Sequence, residues 1–493
     1  MSKSGTDRQD SQFVIWAMAW TVGTRYGGKI INLLTTIALA WLLSKEDFGL
    51  AGYALIFVTF IEILEGFGVE SALVYHGEDE ELQNNAFWIS ALTGLGIASI
   101  VYLTAPVAAI IFDDERAIPL VQVLALAFVF TGLRIVPKAL LTRRMQFKLM
   151  ALPEFVKVTV KGIAAISIGL AGGGAWAMIV SVVIALAAEL VVLWIAAGWW
   201  PTFRFVFRAE KVRPLLSYGG GMIGLSIVGT LIANIDYVLV GRLLGAAALG
   251  AYMIGFRLPT LLITPIIESL SKVIFPMSVR KQSDPVAMID GWKIALRYVA
   301  IVSVPVGLGI ASVSAALVPA LFGIKWLDSV PVVSGIALQT VLISLVWHTG
   351  DIYKATGRIR LLFWLGVSQL LITAPLLLIA VLHFGTIGAV AWAHVVGALL
   401  NAVVRFIVMS KIMPVNLREI VDILVAPLSA GLLMAAAVIG VDMALAAAIE
   451  GVWVRLLADI VTGALVYALL AYFMMRDEVE TSIKQLRQSL SRG

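Results

Sequence analysis

The chain of 493 residues contains no cysteine. That absence removes disulfide frameworks, thiolate metal sites and thiol nucleophiles together. Histidine is almost as scarce, with four in the whole chain and no pair at metal-ligand spacing. Charged residues make up 14%, against about 25% in soluble domains, so a soluble protein is excluded. No Walker A sequence and no Gly-rich dinucleotide fingerprint occurs. Residues Met1 to Gln12 are polar and lack the apolar run of a signal peptide, so the first hydrophobic helix is expected to remain as an anchor. The net charge of +5 implies no nucleic-acid role, because basic residues concentrate on one set of loops.

What is present is apolar length. Hydrophobic residues reach 60%, and a bilayer core of about 30 Å needs about 20 of them in a helix. Stretches of that kind lie near 13–43, 48–74, 85–112, 117–140, 151–173 and 175–197. A second set lies near 215–241, 248–276, 291–322, 328–350, 359–382, 386–410, 419–440 and 452–475. The expectation is an all-α polytopic membrane protein with about fourteen spans. Alternate short loops hold Lys138, Arg143, Arg144, Lys148, Arg280, Lys281, Arg358, Arg360 and Lys411, whereas the others hold little beyond Lys45, Arg116, Arg242, Lys325 and Arg455. This bias places both termini in the cytoplasm.

The chain also repeats itself. Leu42-Leu43-Ser44-Lys45-Glu46-Asp47-Phe48-Gly49 matches Leu243-Leu244-Gly245-Ala246-Ala247-Ala248-Leu249-Gly250 in spacing, with tyrosines following at Tyr53 and Tyr252. The first span thus pairs with the seventh, a parallel repeat of the kind that places a substrate path between halves. The expected organisation is an N-terminal lobe over 1–197, a linker over 198–214, a C-terminal lobe over 215–410, and two additional helices with a tail over 411–493. Gly172-Gly173-Gly174 and Gly219-Gly220-Gly221 are expected to allow close helix packing or hinging.

Charge inside the spans is the informative feature. A cation at bilayer depth costs roughly 2.5–3.5 kcal/mol even on the lenient insertion scale. Arg25 with Lys29, and Lys157 with Lys161, form pairs one helical turn apart inside hydrophobic segments. At 1.5 Å per residue, Arg25 lies about 17 Å and Lys161 about 15 Å from the same membrane face, with Arg134, Glu62, Glu65 and Glu189 in the same zone. The residues alone leave two readings open. One is a set of structural ion pairs between helices; the other is a hydrated cavity for an anionic headgroup. Deep cations outnumber deep carboxylates in this half, which favours the cavity. Arg suits a pyrophosphate through its forked donors and Lys serves as a point charge. In the second half Arg257, Glu268 and His394 lie deep, whereas Arg297, His348 and Asp351 fall near span ends, where snorkelling explains such residues. Asp236 is either a cation or proton site or the partner of a neighbouring Arg.

Several motifs resemble those of polysaccharide transporters in the MOP flippase superfamily (Wzx-type and WzxC-like exporters). They include Asn234-Ile235-Asp236-Tyr237-Val238-Leu239-Val240-Gly241-Arg242-Leu243-Leu244-Gly245, continuing to Tyr252, and Glu46-Asp47-Phe48-Gly49, although Lys45 stands where proline is usual. Phe67-Gly68-Val69-Glu70-Ser71-Ala72-Leu73-Val74 and Arg143-Arg144-Met145-Gln146-Phe147-Lys148 fit as well. The resemblance implies two lobes of six helices plus two C-terminal helices, alternating access, and no enzymatic cofactor. It implies an undecaprenyl-pyrophosphate-linked oligosaccharide as cargo, moved across the inner membrane for exopolysaccharide, capsule or O-antigen assembly. It further implies coupling to a proton or sodium gradient, and polysaccharide polymerase and chain-length proteins as partners. Substrate binding would fall to Arg25, Lys29, Arg134, Lys157 and Lys161. Charge balance or coupling would fall to Glu62, Glu65, Glu189, Asp236 and Arg257. Two rivals remain: a MATE-like drug/cation antiporter, which should favour carboxylates in its cavity, and a membrane glycan polymerase or glycosyltransferase built on Asp113-Asp114-Glu115.

Overall fold

A computed structural model describes residues 27–62, 73, 80–144, 146–202, 223–446 and 451–476. Helices and no strand occur among the described residues. That is the expected solution for an apolar chain, because a helix satisfies its own backbone groups where water is missing. Eleven helical stretches among the described residues are long and apolar enough to cross a membrane. The chain is a multi-pass membrane protein that forms two compact units, Met1–Gly250 and Ala251–Gly493.

The first unit holds α1 (Gly27–Leu42), α2 (Lys45–Glu62), α3 (Glu80–Phe112), α4 (Ala117–Leu124) and α5 (Leu126–Arg143). It continues through α6 (Phe147–Leu170), α7 (Trp176–Ala197) and α8 (Ile223–Leu244), and includes the start of α9 (Ala246–Arg280). α4 and α5 meet at Ala125 and together make one span. α1, α2 and α6 stand outside the eleven. α1 is described over a shorter stretch, while α2 and α6 carry charge, including Glu62, Glu154, Lys157 and Lys161.

Turn chemistry sets one end of this unit. Asp47 accepts from the Ser44 backbone N–H at 2.9 Å and from Ser44 Oγ at 2.7 Å, and its own N–H donates back to Ser44 Oγ at 3.1 Å. This reciprocal box starts α2. The second oxygen of Asp47 accepts from Ala175 N–H at 3.1 Å, tying the α1–α2 turn to the α6–α7 turn. That second turn uses Gly172 (φ 79°) and Gly174 (φ 53°). The first glycine triplet thus serves turn chirality and not helix packing; the second, Gly219–Gly221, lies outside the described residues. Arg116 clasps Asp114 through two nitrogens at 2.8 and 2.9 Å and reaches Glu46 at 2.7 Å, while Arg242 pairs with Asp113 at 3.3 Å.

The repeat-related motifs pack on each other. A Cβ built on Gly49 would sit 1.8 Å from Ala246 O, and one on Gly250 would sit 1.9 Å from Lys45 O. In the sequence repeat Lys45 corresponds to Ala246 and Gly49 to Gly250, so the contact is reciprocal, as in an isologous interface. Backbone approaches backbone here, and only glycine permits it. Beside this crossing, Tyr53 stacks on Phe112 (ring centroids 4.3 Å apart) and donates to Gly241 O at 3.0 Å, which seats α8 on α2 and α3.

The second unit holds the rest of α9, then α10 (Pro285–Phe322), a 3₁₀ turn (Ile324–Ser329), α11 (Val330–Trp347) and α12 (Thr349–Ala355). α13 (Ile359–Ile379), α14 (Ile387–Ile412), α15 (Leu417–Ala446) and α16 (Val452–Met474) follow. Asp284 caps α10 by accepting from Ala287 N–H at 3.0 Å, with Pro285 at the first helical position. The core gathers Trp292, Leu296, Tyr353, Leu365 and Met409 from α10, α12, α13 and α14. His348 and Asp351, expected to snorkel from a span end, are instead 2% and 4% exposed. Tertiary packing of α9 and α10 covers them, which no periodicity along one helix reveals.

Two outcomes follow from this packing. Gly49→Ala is expected to lower the melting temperature of the detergent-solubilised protein, since overpacking costs about 1–3 kcal/mol and here the obstacle is backbone. Gly96→Ala, with nothing within 4 Å of its added Cβ, should leave the protein unchanged or slightly stabilised; equal melting points for the two variants would contradict the tight crossing. The Arg116 side-chain hydrogen bond holds the Asp114 carboxyl below its ordinary range. A depressed folded value means the clasp stabilises fully above the unfolded pKa of about 3.9 and is lost as pH falls through the folded one. Asp114→Asn should therefore flatten the acid side of a melting-temperature profile below pH ~4.

Candidate functional site

The first unit encloses a cavity of about 470 Å³ lined from α1, α2, α4, α5, α6 and α7. Its apolar wall comes from Leu55, Val58, Phe128, Val182 and Leu186. Its polar wall comes from Asn32, Thr59, Glu62, Thr131, Arg134, Lys157 and Lys161. Helical spacing assembles that wall. Thr59 and Glu62, and Thr131 and Arg134, stand three apart on α2 and α5, and Lys157 and Lys161 stand four apart on α6, so each pair shares a face.

Behind the wall lies Glu189 on α7, one turn beyond the lining residue Ala185 and only 4% exposed. Its two oxygens take different cations: Oε2 accepts from Arg134 Nη1 at 2.9 Å and Oε1 from Lys157 Nζ at 3.4 Å. Lys157 also reaches Glu154 Oε2 at 2.5 Å, one turn earlier on its own helix and 62% exposed. One buried carboxylate thus bridges α5 and α6 and offsets two charges that would otherwise be costly at this depth. The wall itself presents three cations and one carboxylate. Ion pairs lie beneath the cavity surface, and the surface itself carries more cations than carboxylates.

Of the residues singled out in the sequence, Glu62, Arg134, Lys157 and Lys161 meet in this cavity, with Glu189 as their support. Lys29 sits on α1, three residues before the lining Asn32, and is not itself in the lining. Arg25 and Glu65 lie outside the described residues. Asp236 on α8 is 2% exposed. The neighbouring Arg242 pairs with Asp113. Arg257 belongs to α9 in the second unit. Sequence reasoning passed over Glu154, Asn32, Thr59 and Thr131. Each stands three residues from a charged one, at Lys157, Lys29, Glu62 and Arg134 in turn, but that spacing alone does not show which faces meet. Asp113 and Asp114, the acidic pair of the enzymatic rival, are held by Arg242 and Arg116 at the turn clasp.

A helical bundle crossing the membrane many times, with a charged cavity sunk inside one unit, has the build of a membrane transporter. The family model described as "Polysaccharide biosynthesis protein" matches residues 38–331, and the chain belongs to that family. It is 26% identical over 433 residues to the teichuronic acid biosynthesis protein TuaB of Bacillus subtilis, covering 87% of this chain and 88% of TuaB. The succinoglycan biosynthesis transport protein ExoT of Rhizobium meliloti is 24% identical, with 80% of this chain and 77% of ExoT covered. The lipopolysaccharide biosynthesis protein WzxC of Escherichia coli is 23% identical, with 77% of each covered. Among solved structures, the lipid II flippase MurJ in an inward closed conformation superposes with a TM-score of 0.72 at 13% identity, covering 94% of this chain and 100% of MurJ. An inward-facing multidrug resistance MATE family transporter of the MOP superfamily gives 0.63 at 14% identity, covering 80% of this chain and 95% of that one. These two likenesses establish the fold.

The bridging role of Glu189 has a measurable consequence. Glu189→Gln takes the buried anion from two half-buried cations and leaves Lys157 only Glu154; removing one partner of a buried pair costs up to about 3–5 kcal/mol. Glu154→Gln removes an exposed partner worth about 0–1 kcal/mol. Thermal unfolding of the purified variants should therefore separate them clearly; equal melting points would deny Glu189 its bridging role.

Proposed function

We propose that this protein is a flippase for lipid-linked oligosaccharide repeat units, carrying an undecaprenyl-pyrophosphate headgroup and its sugar across the bacterial inner membrane for exopolysaccharide, capsule or O-antigen assembly. The carrying observation is the cavity wall on which Arg134, Lys157 and Lys161 converge from two spans. Pyrophosphate is recognised by forked and point-charge donors in low dielectric, and Asn32, Thr59 and Thr131 supply hydrogen-bonding groups suited to sugar hydroxyls. The prenyl tail stays in lipid while the cavity opens alternately to each face. Both termini are assigned to the cytoplasm on the Lys/Arg bias. Polysaccharide polymerase and chain-length proteins are the expected partners, and an ion gradient the expected energy source. The names of TuaB, ExoT and WzxC, and the flippase title of MurJ, support this reading.

A drug/cation antiporter on the same fold fits less well, because a wall with three cations and one carboxylate repels a cationic cargo. The test is translocation of a fluorescent undecaprenyl-pyrophosphate oligosaccharide in reconstituted vesicles. Wild type should move the probe between leaflets. Arg134→Ala and Lys161→Ala should each slow it about tenfold or more, since a hydrogen bond to a charged group is worth about 1.5–3 kcal/mol. No movement by wild type would sink the cargo assignment; normal rates in both variants would sink the site.

A further inference from the structure

The second unit contains a buried cluster that the cavity does not use. α11 ends at Trp347 and α12 begins at Thr349, so His348 is the joint between them. His348 Nδ1 lies 3.0 Å from Asp351 Oδ2, one turn further on. Ser271 of α9 donates to the same oxygen at 2.8 Å, and its Oγ is 3.3 Å from His348 Nδ1. The other ring nitrogen, Nε2, is buried with no hydrogen-bond partner. This is not the geometry of a catalytic triad, in which the serine and the carboxylate sit on opposite ring nitrogens. Here both crowd one side and leave Nε2 vacant.

Charge accounting shows what the cluster accepts. With Nδ1–H facing the carboxylate, Nε2 is a basic lone pair with no donor. A neutral ring beside an ionised Asp351 leaves one net negative charge where water is scarce. One added proton cancels it, either on Nε2, giving an imidazolium against a carboxylate, or on Asp351, giving two neutral groups. A metal ion does not suit this donor set, because no three His, Cys, Asp or Glu come together among the described residues. The position matters as much as the chemistry. His348 keeps helical dihedrals (φ −72°, ψ −9°), so a charge gained there falls inside the helical stretch Ile324–Ala355, and ionisable residues within such stretches mark ion paths.

We propose that His348, Asp351 and Ser271 form the proton-binding site that couples this transporter to a proton gradient. The coupling half rests on the flippase reading; proton binding does not. One proton enters from water onto the pair and leaves to water, with no other bond made or broken. Ionisable groups on the elements around this core are Glu268 and Lys272 on α9, Lys293 and Arg297 on α10, and Tyr353 on α12. Arg358 at the start of α13, His394 and Arg405 on α14, and Glu419 and Asp422 on α15 lie on these elements too. His394 is a second buried histidine of this unit, so the His348→Gln variant is what assigns the cluster's own signal.

The experiment uses full-length protein with ¹⁵N-histidine in phosphatidylethanolamine/phosphatidylglycerol nanodiscs, where His348→Gln assigns one of four signals. The His348 signals should report one proton gained as the pH is lowered, and Asp351→Asn should displace that transition. Ser271→Ala, the mildest change, should move it less and guards against a fold defect in the other variants. No transition, or a midpoint indifferent to Asp351→Asn, overturns proton binding. In vesicles carrying the fluorescent probe, a one-unit pH gradient should bias its steady-state distribution by up to about tenfold for one proton per cycle. His348→Gln and Asp351→Asn should each weaken that bias. If wild type moves the probe and the gradient does nothing, coupling fails while the flippase reading stands. If wild type moves no probe, the flippase reading fails and the coupling with it, while the histidine signal still decides proton binding.

Discussion

An isolated cation inside a bilayer is too costly to keep, and in the first unit Glu189 is the group that removes that cost. Its two oxygens hold Arg134 on α5 and Lys157 on α6, so the charges are fixed where the cavity needs them. Three helices are positioned by one carboxylate. Lys157 gains a second hold from Glu154 on its own helix, which leaves the lysine between a buried and an exposed anion. The arrangement keeps the wall cationic while the bundle beneath it remains close to neutral.

A supported wall of this kind suits a cargo that arrives and leaves. Bare cations would bind an anionic headgroup tightly and release it slowly. Cations already sharing a buried carboxylate gain less from a new anion than bare ones do. At the far end of the same helices, the clasp of Arg116, Asp114, Glu46, Asp47 and Ser44 ties consecutive turns together. The glycine crossing of α2 with the start of α9 lies at that end too. Short polar contacts hold the turns, and backbone packing holds the crossing.

Much of this was legible in residue order, for reasons that can be named. Helices were visible because a bilayer demands about 20 predominantly apolar residues per span, and α7 and α14 meet that demand. The site was visible where the charges fell inside such runs, as at Arg134, Lys157, Lys161 and Glu62. The capping of α2 was written in Ser44 and Asp47, three apart. What resisted was anything decided by a second element. Asn32, Thr59 and Thr131 are unremarkable polar residues until neighbouring helices turn them towards one space. His348 and Asp351 sat near a span end and read as solvated, but α9 and α10 bury them. Asp113 and Asp114 read as a possible acidic site until Arg242 and Arg116 were found holding them.

The amino-acid sequence by itself determined that this chain lives in a membrane, roughly how many times it crosses, and that charge at depth requires a purpose. These are properties of single helices, set by transfer free energy along one segment. Only the tertiary structure decided which deep charges meet. Arg134, Lys157 and Glu189 are separated by up to 55 positions along the chain, and their pairing depends on which faces of α5, α6 and α7 are turned towards each other. Helix propensity and hydropathy carry no information about that rotation. It is settled by packing between helices, where a glycine, a shared carboxylate or a turn residue selects one arrangement among many of similar apolarity.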